Sequence, residues 1–408
     1  MSFSSLGLSP SILSVIDQMA YKNPTPIQKK AIPAILKGKD VLAAAQTGTG
    51  KTAAFSFPMV ERLSKGNSVK SNQVRSLILV PTRELAVQIE LSMAVICDAF
   101  KYHSCAVFGG VKINPQMMAL RRGTDVLIAT PGRLLDLYKQ NAIQFTHLEI
   151  LVLDEADRML DMGFRDELQK IITLLPKQRQ NLMFSATFSD EIRGFAKRIV
   201  FDPVEISVNP EMTTATTVEQ WLYPVDEKRK SALLSHLIKS NNWHQVLVFC
   251  KTKQGANKIV QYLQKKNINA AAIHGDKSQG ARTRALSEFK SGSNTVLVAT
   301  DLAARGLDIN QLPQVVNYDL PHITEDYVHR IGRTGRAGLT GEAISLVCTD
   351  EFTKLSEIER FIKKLIIRKH IKAFEPVNEL PESKLDTRPI KPKKPKKPKK
   401  PKKPKQPE

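Results

Sequence analysis

The chain has 408 residues, 42% of them hydrophobic, which is long for one typical domain and ample for two buried cores. No run approaches the ~20 apolar residues of a membrane span, and the start MSFSSLGLSP has neither the basic residues nor the apolar run of a secretion signal, so the expected compartment is the cytoplasm. The formal net charge is +21; residues 385–408 carry +9 of it (ten Lys and Arg388 against Asp386 and Glu408), and the +12 left on the rest suits either a polyanionic partner or a solvated surface.

Short aliphatic and β-branched runs alternate with helical patterns from residue 40 to residue 350. In chain order they read DVLAAA, SLILV, DVLIA, EILVLD and NLMFS, then QVLVFC, AAAIHG, TVLVAT, VVNYD and EAISLV. Alternation of this kind predicts an α/β fold of parallel sheets flanked by helices. The polar stretch NPEMTTATT, with no apolar stripe, separates the first five runs from the second five and reads as a linker. The expected division is therefore a first domain over 1–208, a linker over 209–217, a second domain over 218–372 and a Pro/Lys-rich tail over 373–408. From Ile390 the tail repeats Pro-Lys-Lys, which cannot bury apolar surface and predicts an extended, polyproline-like, disordered segment.

The first run leads into Ala45-Gln46-Thr47-Gly48-Thr49-Gly50-Lys51-Thr52, and the helical pattern KTAAFSFPMVERLSK follows. Apart from Ala45 in place of the first Gly, this is a phosphate-binding loop between a strand and a helix, which aims backbone N–H groups and the positive helix end at phosphate. Lys51 is expected to reach the β- and γ-phosphates and the Thr52 hydroxyl to bind Mg²⁺. A dinucleotide fingerprint over Gly48, Gly50 and Ala53 competes, but it needs an acid after the next strand, and SLILV ends in Pro81-Thr82-Arg83. The run ending at Leu153 meets Asp154-Glu155-Ala156-Asp157. Asp154 is expected to hold Mg²⁺, mostly through water, and Glu155 to orient and deprotonate an attacking water. The second half has no phosphate loop but is rich in arginine, notably His329-Arg330-Ile331-Gly332-Arg333-Thr334-Gly335-Arg336. Cys97, Cys105, Cys250 and Cys348 lack paired C-x-x-C spacing and read as reduced thiols, and His274, with no acid or thiol partner in sequence, reads as structural.

The sequence Asp-Glu-Ala-Asp at 154–157 beside the phosphate loop resembles the DEAD-box RNA helicases of superfamily 2, over nearly all of residues 1–350. The resemblance implies two tandem RecA-like domains with ATP and Mg²⁺ between them. It also implies RNA as partner, in single strands and short duplexes with little sequence preference. Within the family the MSF-x-x-LGLS start and basic tail look most like the bacterial RhlE-like branch, with ribosomal precursors or RNA-degradation machinery as the setting and a monomer as the state. Tyr21 to Gln28 looks like the Q motif, with Ala20 where Gly is usual and Phe3 as the upstream aromatic. By resemblance Tyr21 stacks on adenine and Gln28 bonds its N6/N7 edge, which implies ATP over GTP. Residues 46–50 would cradle the phosphates.

Ser185-Ala186-Thr187 matches the motif that couples hydrolysis to domain closure, so Ser185 and Thr187 are coupling residues by resemblance. Pro81-Thr82-Arg83-Glu84-Leu85, Gly109-Gly110 and Thr130-Pro131-Gly132-Arg133 match RNA-contacting motifs; Arg83, Gly110, Thr130 and Arg133 are the implied contacts. In the second half Gln279-Gly280-Ala281-Arg282 matches Q-x-x-R, making Arg282 a phosphate contact, and Thr300 to Asp308 resembles a motif that touches RNA at Thr300 and the ATP ribose at Asp308. Arg333 and Arg336, three apart and on one face if the segment is helical, would be arginine fingers on the γ-phosphate. The rivals are a clamp that uses ATP only to close and a DNA translocase. Glu155, Arg333 and Arg336 argue against the first, and the family resemblance against the second.

Overall fold

The strands are buried on both faces, which is why they read as continuous apolar runs instead of alternating patterns. In a computed structural model, which describes residues 2–45, 49–64, 66, 69–186, 188–208, 218–304, 309, 312–335 and 341–385 (Glu325 by its backbone only), they form two sheets. The first holds β1 (Val41–Ala44), β2 (Val74–Leu79), β3 (Ser104–Val107), β4 (Thr124–Ala129), β5 (Ile150–Leu153), β6 (Gln180–Ser185) and β7 (Val204–Ser207) in the order β3-β4-β2-β5-β6-β1-β7. The second holds β8 (Val218–Pro224), β9 (Val246–Cys250), β10 (Ala270–Ile273), β11 (Val296–Thr300), β12 (Gln314–Asn317), β13 (Gly341–Val347) and β14 (Ile367–Arg368) in the order β10-β11-β9-β12-β13-β8-β14. Every pairing is parallel. All ten runs are strands in the structure.

Four strands have no counterpart among those runs. β3 is Ser-Cys-Ala-Val and only half-buried, β7 exposes three of its four residues, β14 has two residues, and β8 mixes Glu219 and Gln220 with Trp221 and Tyr223. Three of them, β3, β7 and β14, are edge strands, where one side faces water and an apolar run is not required, and β8 lies next to the edge strand β14.

Successive side chains of each strand feed opposite cores. Ile78, Val152 and Phe184 pack with Phe55 and Ile32 on one face, while Leu77, Leu79, Leu151, Leu153 and Met183 pack with Leu134 and Leu168 on the other. The second sheet repeats the division, with Val246, Val248, Val296 and Val298 on one face and Leu247, Phe249 and Leu297 on the other.

The polar tail starts later than residue 373. Arg229 donates to the carbonyls of Ala373 and Glu375, Thr349 to that of Asn378, and Arg368 to those of Leu380 and Pro381, so the stretch to about 385 lies against the second sheet's unit. The expected linker, and the repeats from Ile390, lie outside the described residues. Among the described residues no helix is long and apolar enough to cross a membrane. None of the four thiols is bridged, and burial pushes those of Cys97 and Cys250 up to about 12.

Asp40 anchors β1, the strand that leads to the loop. Its carboxylate accepts from the Asn181 backbone at 2.7 Å, the Asn181 side chain at 3.0 Å and the Phe201 backbone at 2.8 Å, tying the start of β1 to β6 and to the segment before β7. Replacing Asp40 by Ala would leave buried donors unpaired. Asp40→Ala is expected to destabilise the first unit by about 2 kcal/mol or more, read as a lower urea midpoint at unchanged slope.

Candidate functional site

The motif residues gather at the carboxyl ends of the strands, and the strand order sorts them into two groups. The neighbours β5, β6 and β1 end in Asp154, Ser185 and the phosphate loop, while β3, β4 and β2 end near Gly110, Thr130 and Arg83. Two sites therefore lie along one edge of the first sheet.

At the first, the Ala45 amide donates to the Ser185 carbonyl at 3.0 Å, which ties the start of the loop to the end of β6. Gln46, Thr47 and Gly48 lie outside the described residues. Thr49 and Gly50 lead into the helix Lys51–Leu63. Gly50 adopts φ +86°, and a Cβ there would come within 2.4 Å of Gln28 Nε2, so no other residue fits. Lys51 is 6% exposed and its ammonium has no hydrogen-bond partner among the described residues; Thr52, half-buried, is the next residue of the same first turn.

Asp154 is 2% exposed, and burial above all, opposed by Lys51 and reinforced by Glu155 and Asp157, pushes its carboxyl up to about 6. Glu155 donates its amide to Asp154 Oδ1 at 3.0 Å, sits at φ +53° and holds a buried Oε2 with no hydrogen-bond partner among the described residues. A non-glycine residue in the left-handed region costs roughly 1 kcal/mol or more, so the neighbouring structure holds Glu155 there against strain. A buried ammonium with no hydrogen-bond partner among the described residues, close enough to the buried Asp154 to act on its carboxyl and with the half-buried Glu155 next in the chain, is the donor set that a polyphosphate with a divalent cation would satisfy.

Gln28 is fully buried, accepting from the Thr25 amide at 2.9 Å and donating to the Gly50 carbonyl at 3.1 Å. Through these two bonds Gln28 fixes the loop to the preceding helix. Tyr21 lies edge-on to Phe57 at 5.6 Å and to Phe3 at 6.4 Å, so the upstream aromatic sets the ring's position.

From this site a chain of contacts leads to the second unit. Asp157 Oδ2 accepts from the Ala186 amide at 3.0 Å, and the next residue, Arg158, donates to Asp326 Oδ1 at 3.3 Å on the helix Thr324–Ile331. Ser185 is fully buried; Thr187 lies outside the described residues. Arg333 is not on that helix. The helix stops at Ile331 with Gly332 as its cap, and Thr334 bonds the Leu312 carbonyl, so Arg333 sits in the turn that follows; Arg336 lies outside the described residues. Arg330, which the sequence reading passed over, makes a fork with both oxygens of Asp301 at 2.6 and 2.7 Å and bonds Asn317 and the Asp319 carbonyl. It thereby anchors the segment after Thr300 to the arginine turn. Asp308 lies outside the described residues.

The second site is a cavity of about 430 Å³ between the two units, lined by Arg83, Gly110, Thr130 and Arg133 on one side and Arg282 and Leu302 on the other. Gly110, at φ +79°, is filled by its neighbour: a Cβ there would fall 1.9 Å from Arg83 Nη1, so the glycine makes room for the guanidinium. Two expected phosphate contacts have other partners. Arg133 is 8% exposed and donates to Gln116 Oε1 and the Val111 carbonyl, both at 2.9 Å, while Gln116 also engages the Phe108 amide and carbonyl. Its work is to brace the Gly109-Gly110 loop. Arg282 is 6% exposed and pairs with Glu84 at 2.8 Å across the two units; burial pulls its guanidinium below the usual range, with Glu84 opposing. Thr300, 9% exposed, ends β11 and is not among the residues lining this cavity, which Leu302 and Ala303 reach just after it. The residues missed in the sequence (Glu84, Gln116, Arg158, Asp326 and Arg330) all act through partners distant in the chain.

The sequence profile "DEAD/DEAH box helicase" matches residues 25–195 and "Helicase conserved C-terminal domain" matches 229–338. The DEAD-box ATP-dependent RNA helicase CshA of Geobacillus kaustophilus is 41% identical over 366 residues, spanning 90% of this chain and 78% of that one. Among solved structures, Saccharomyces cerevisiae Dbp5 bound to RNA and ADP BeF3 superposes with TM-score 0.79 at 34% identity, covering 90% of this chain and 95% of that one. A DEAD box protein from the hyperthermophile Methanococcus jannaschii is 37% identical and covers 90% and 99%, yet superposes with TM-score 0.52. With both halves matched in order and the motifs gathered on facing strand ends, this chain belongs to the DEAD/DEAH box helicase family.

Proposed function

We propose that this ATP-dependent RNA helicase works by closing its two RecA-like units on ATP and a single RNA strand at once, and reopening when ATP is hydrolysed. The observation that carries the reading is the pairing of a charged, incompletely satisfied nucleotide site with consecutive residues that link it onward, Asp157 to Ala186 within the first unit and Arg158 to Asp326 of the second. The proposed domains are 1–208 and 218–372 with the linker 209–217 between them; the packing of residues 373–385 on the second unit supports extending that unit by about a dozen residues.

In this reading Lys51, desolvated and unpaired, neutralises the β- and γ-phosphates, and residues 46–50 with the helix N-terminus supply backbone donors. Thr52 and Asp154 would hold Mg²⁺, which when bound screens phosphate charge and orients the γ-phosphoryl group. Glu155 takes the proton of the attacking water; its strained backbone and unpartnered Oε2 support a fixed base. Tyr21 packs on adenine, and Gln28 reports base occupancy to Gly50 through their shared hydrogen bond. Arg333 and Arg336 complete the site from the second unit and stabilise charge in the transition state. Ser185 and Thr187 border the same strand end, and Asp157, through Ala186, transmits their position to Arg158 and Asp326.

RNA lies across both units in the cavity. Arg83 takes a phosphate, with Gly110 and Thr130 offering backbone approach, Arg133 supporting the Gly110 loop, Arg282 holding the halves together through Glu84, and Thr300 contributing from β11. Contacts to the backbone leave base sequence unread. The cytoplasm, a monomeric state and ribosomal precursors or RNA-degradation machinery as the setting are the remaining parts of the proposal. The MSF-x-x-LGLS start and basic tail support a place near the RhlE-like branch, whereas the 41% identity to a CshA supports a place near that type.

Glu155→Gln is expected to bind ATP and RNA as the parent does while RNA-stimulated turnover falls by roughly 10²- to 10⁴-fold. Turnover at the parent rate would remove Glu155 as the base. Gly110→Ala, by displacing Arg83, is expected to weaken single-stranded RNA binding about tenfold and to lower the slope of log K against log salt by roughly 0.7, the share of one phosphate. Anisotropy titrations at several salt concentrations read both, and an unchanged slope would free Arg83 from that role.

A further inference from the structure

The Glu84–Arg282 pair lines two cavities, the larger one described above and a second of about 160 Å³. The second takes Val87, Gln88 and Leu91 from the helix Arg83–Asp98 of the first unit and Thr283, Leu286 and Lys290 from the helix Gln279–Lys290 of the second. Each set has helical spacing and so lies on one face of its helix. Val87 is 37% exposed and Leu91 68%, and Val95, one turn beyond the cavity, is 38% exposed. Single exposed apolar residues are ordinary, but three at four-residue steps make a stripe of about 12 Å, and a stripe that runs into a cavity between two units marks an interaction site. Among the charged residues of the lining, Glu84 and Arg282 neutralise each other and Lys290 adds one cation.

Resting on the closure proposed above, we infer that the stripe and the cavity are the docking site of an amphipathic helix from a protein partner, with one large apolar side chain seated in the cavity and a carboxylate turned to Lys290. The four-residue period of Val87, Leu91 and Val95 matches the row of apolar anchors that a helix presents. The site is continuous with the contact between the units, since Glu84 and Arg282 belong to both. The chain's own tail is unsuited to it, because Pro-Lys-Lys repeats bring neither apolar anchors nor negative charge. Two units supply the lining, so it exists as one surface only when they are closed. The partner helix, ATP and RNA then tighten one another's binding by linkage, and the partner raises the closed fraction at a given RNA concentration.

The probe is a fluorescent, stapled helix of glutamate and alanine with leucines at i, i+4, i+7 and i+11, and its control carries alanine at those positions and the same charge. Both are titrated onto the full chain, first with oligouridylate and a non-hydrolysable ATP analogue and then with neither. The leucine helix is expected to bind about tenfold tighter, or more, with both ligands than without, and about tenfold tighter than the alanine helix. Leu91→Glu, at an exposed position, should weaken the leucine helix about tenfold and Lys290→Gln about threefold, while both variants hold oligouridylate within a factor of about two of the parent. Leucine-helix binding that ignores the ligands, or that Leu91→Glu leaves unchanged, would overturn the docking site. A Leu91→Glu chain that instead loses oligouridylate would give the cavity to RNA, and a closed parent that sediments as a dimer, dissolved by Leu91→Glu, would give it to a second copy; either result overturns the partner helix. If the analogue and oligouridylate do not tighten each other on the parent with no helix present, it is the closure itself that fails.

Discussion

The ion pair between Glu84 and Arg282 is the contact on which the two-part site depends. Both side chains are under 10% exposed and meet at 2.8 Å across the two units, and Gln279 adds a longer bond to the same Glu84 oxygen. A buried pair of this kind is weak evidence of net stability, because removing two charges from water costs nearly what their attraction returns. What it supplies is specificity: separating the units strands neither charge, since both regain water, but closing them in any other register would bury each one alone. Together with Arg158 and Asp326 it defines one closed arrangement.

That arrangement explains why a chain with one phosphate loop needs two domains. The first unit assembles Lys51, Asp154 and Glu155 by itself, at the adjoining ends of β5, β6 and β1. The second unit reaches the cavity through Leu302 and Ala303, just past the end of β11, and Arg333 lies in the turn after the helix Thr324–Ile331. Arg330 sits between these two stretches, forked to Asp301 next to the one and three residues before the other. A ligand held by both units favours closure, and two such ligands favour each other by thermodynamic necessity.

The sequence made the chemistry of the site legible further than its wiring. The phosphate loop, the acids after β5 and ten of the fourteen strands are visible because side-chain type and run length are local facts. The edge strands β3, β7 and β14, and the interior strand β8 with its polar Glu219 and Gln220, are not, since none of them is a continuous apolar run. Arg133 and Arg282 were readable as cations near RNA motifs but not as braces, because their partners, Gln116 and Glu84, are near only after folding. The same applies to Arg333: periodicity allowed a helix through it, and only the Gly332 cap with the Thr334–Leu312 bond ends the helix first. Gln28 was legible as a base reader by resemblance, while its bond to the Gly50 carbonyl depends on a glycine that leaves room for it.

The central claim is that the interdomain contacts couple the two ligands. Its most direct test is the factor by which a non-hydrolysable ATP analogue tightens single-stranded RNA binding, compared between the parent and an Arg158→Ala, Glu84→Gln double variant. Coupling of about tenfold or more in the parent, falling close to unity in the variant while each ligand alone binds with parent affinity, is the predicted result. Coupling that survives intact in the double variant would contradict the account.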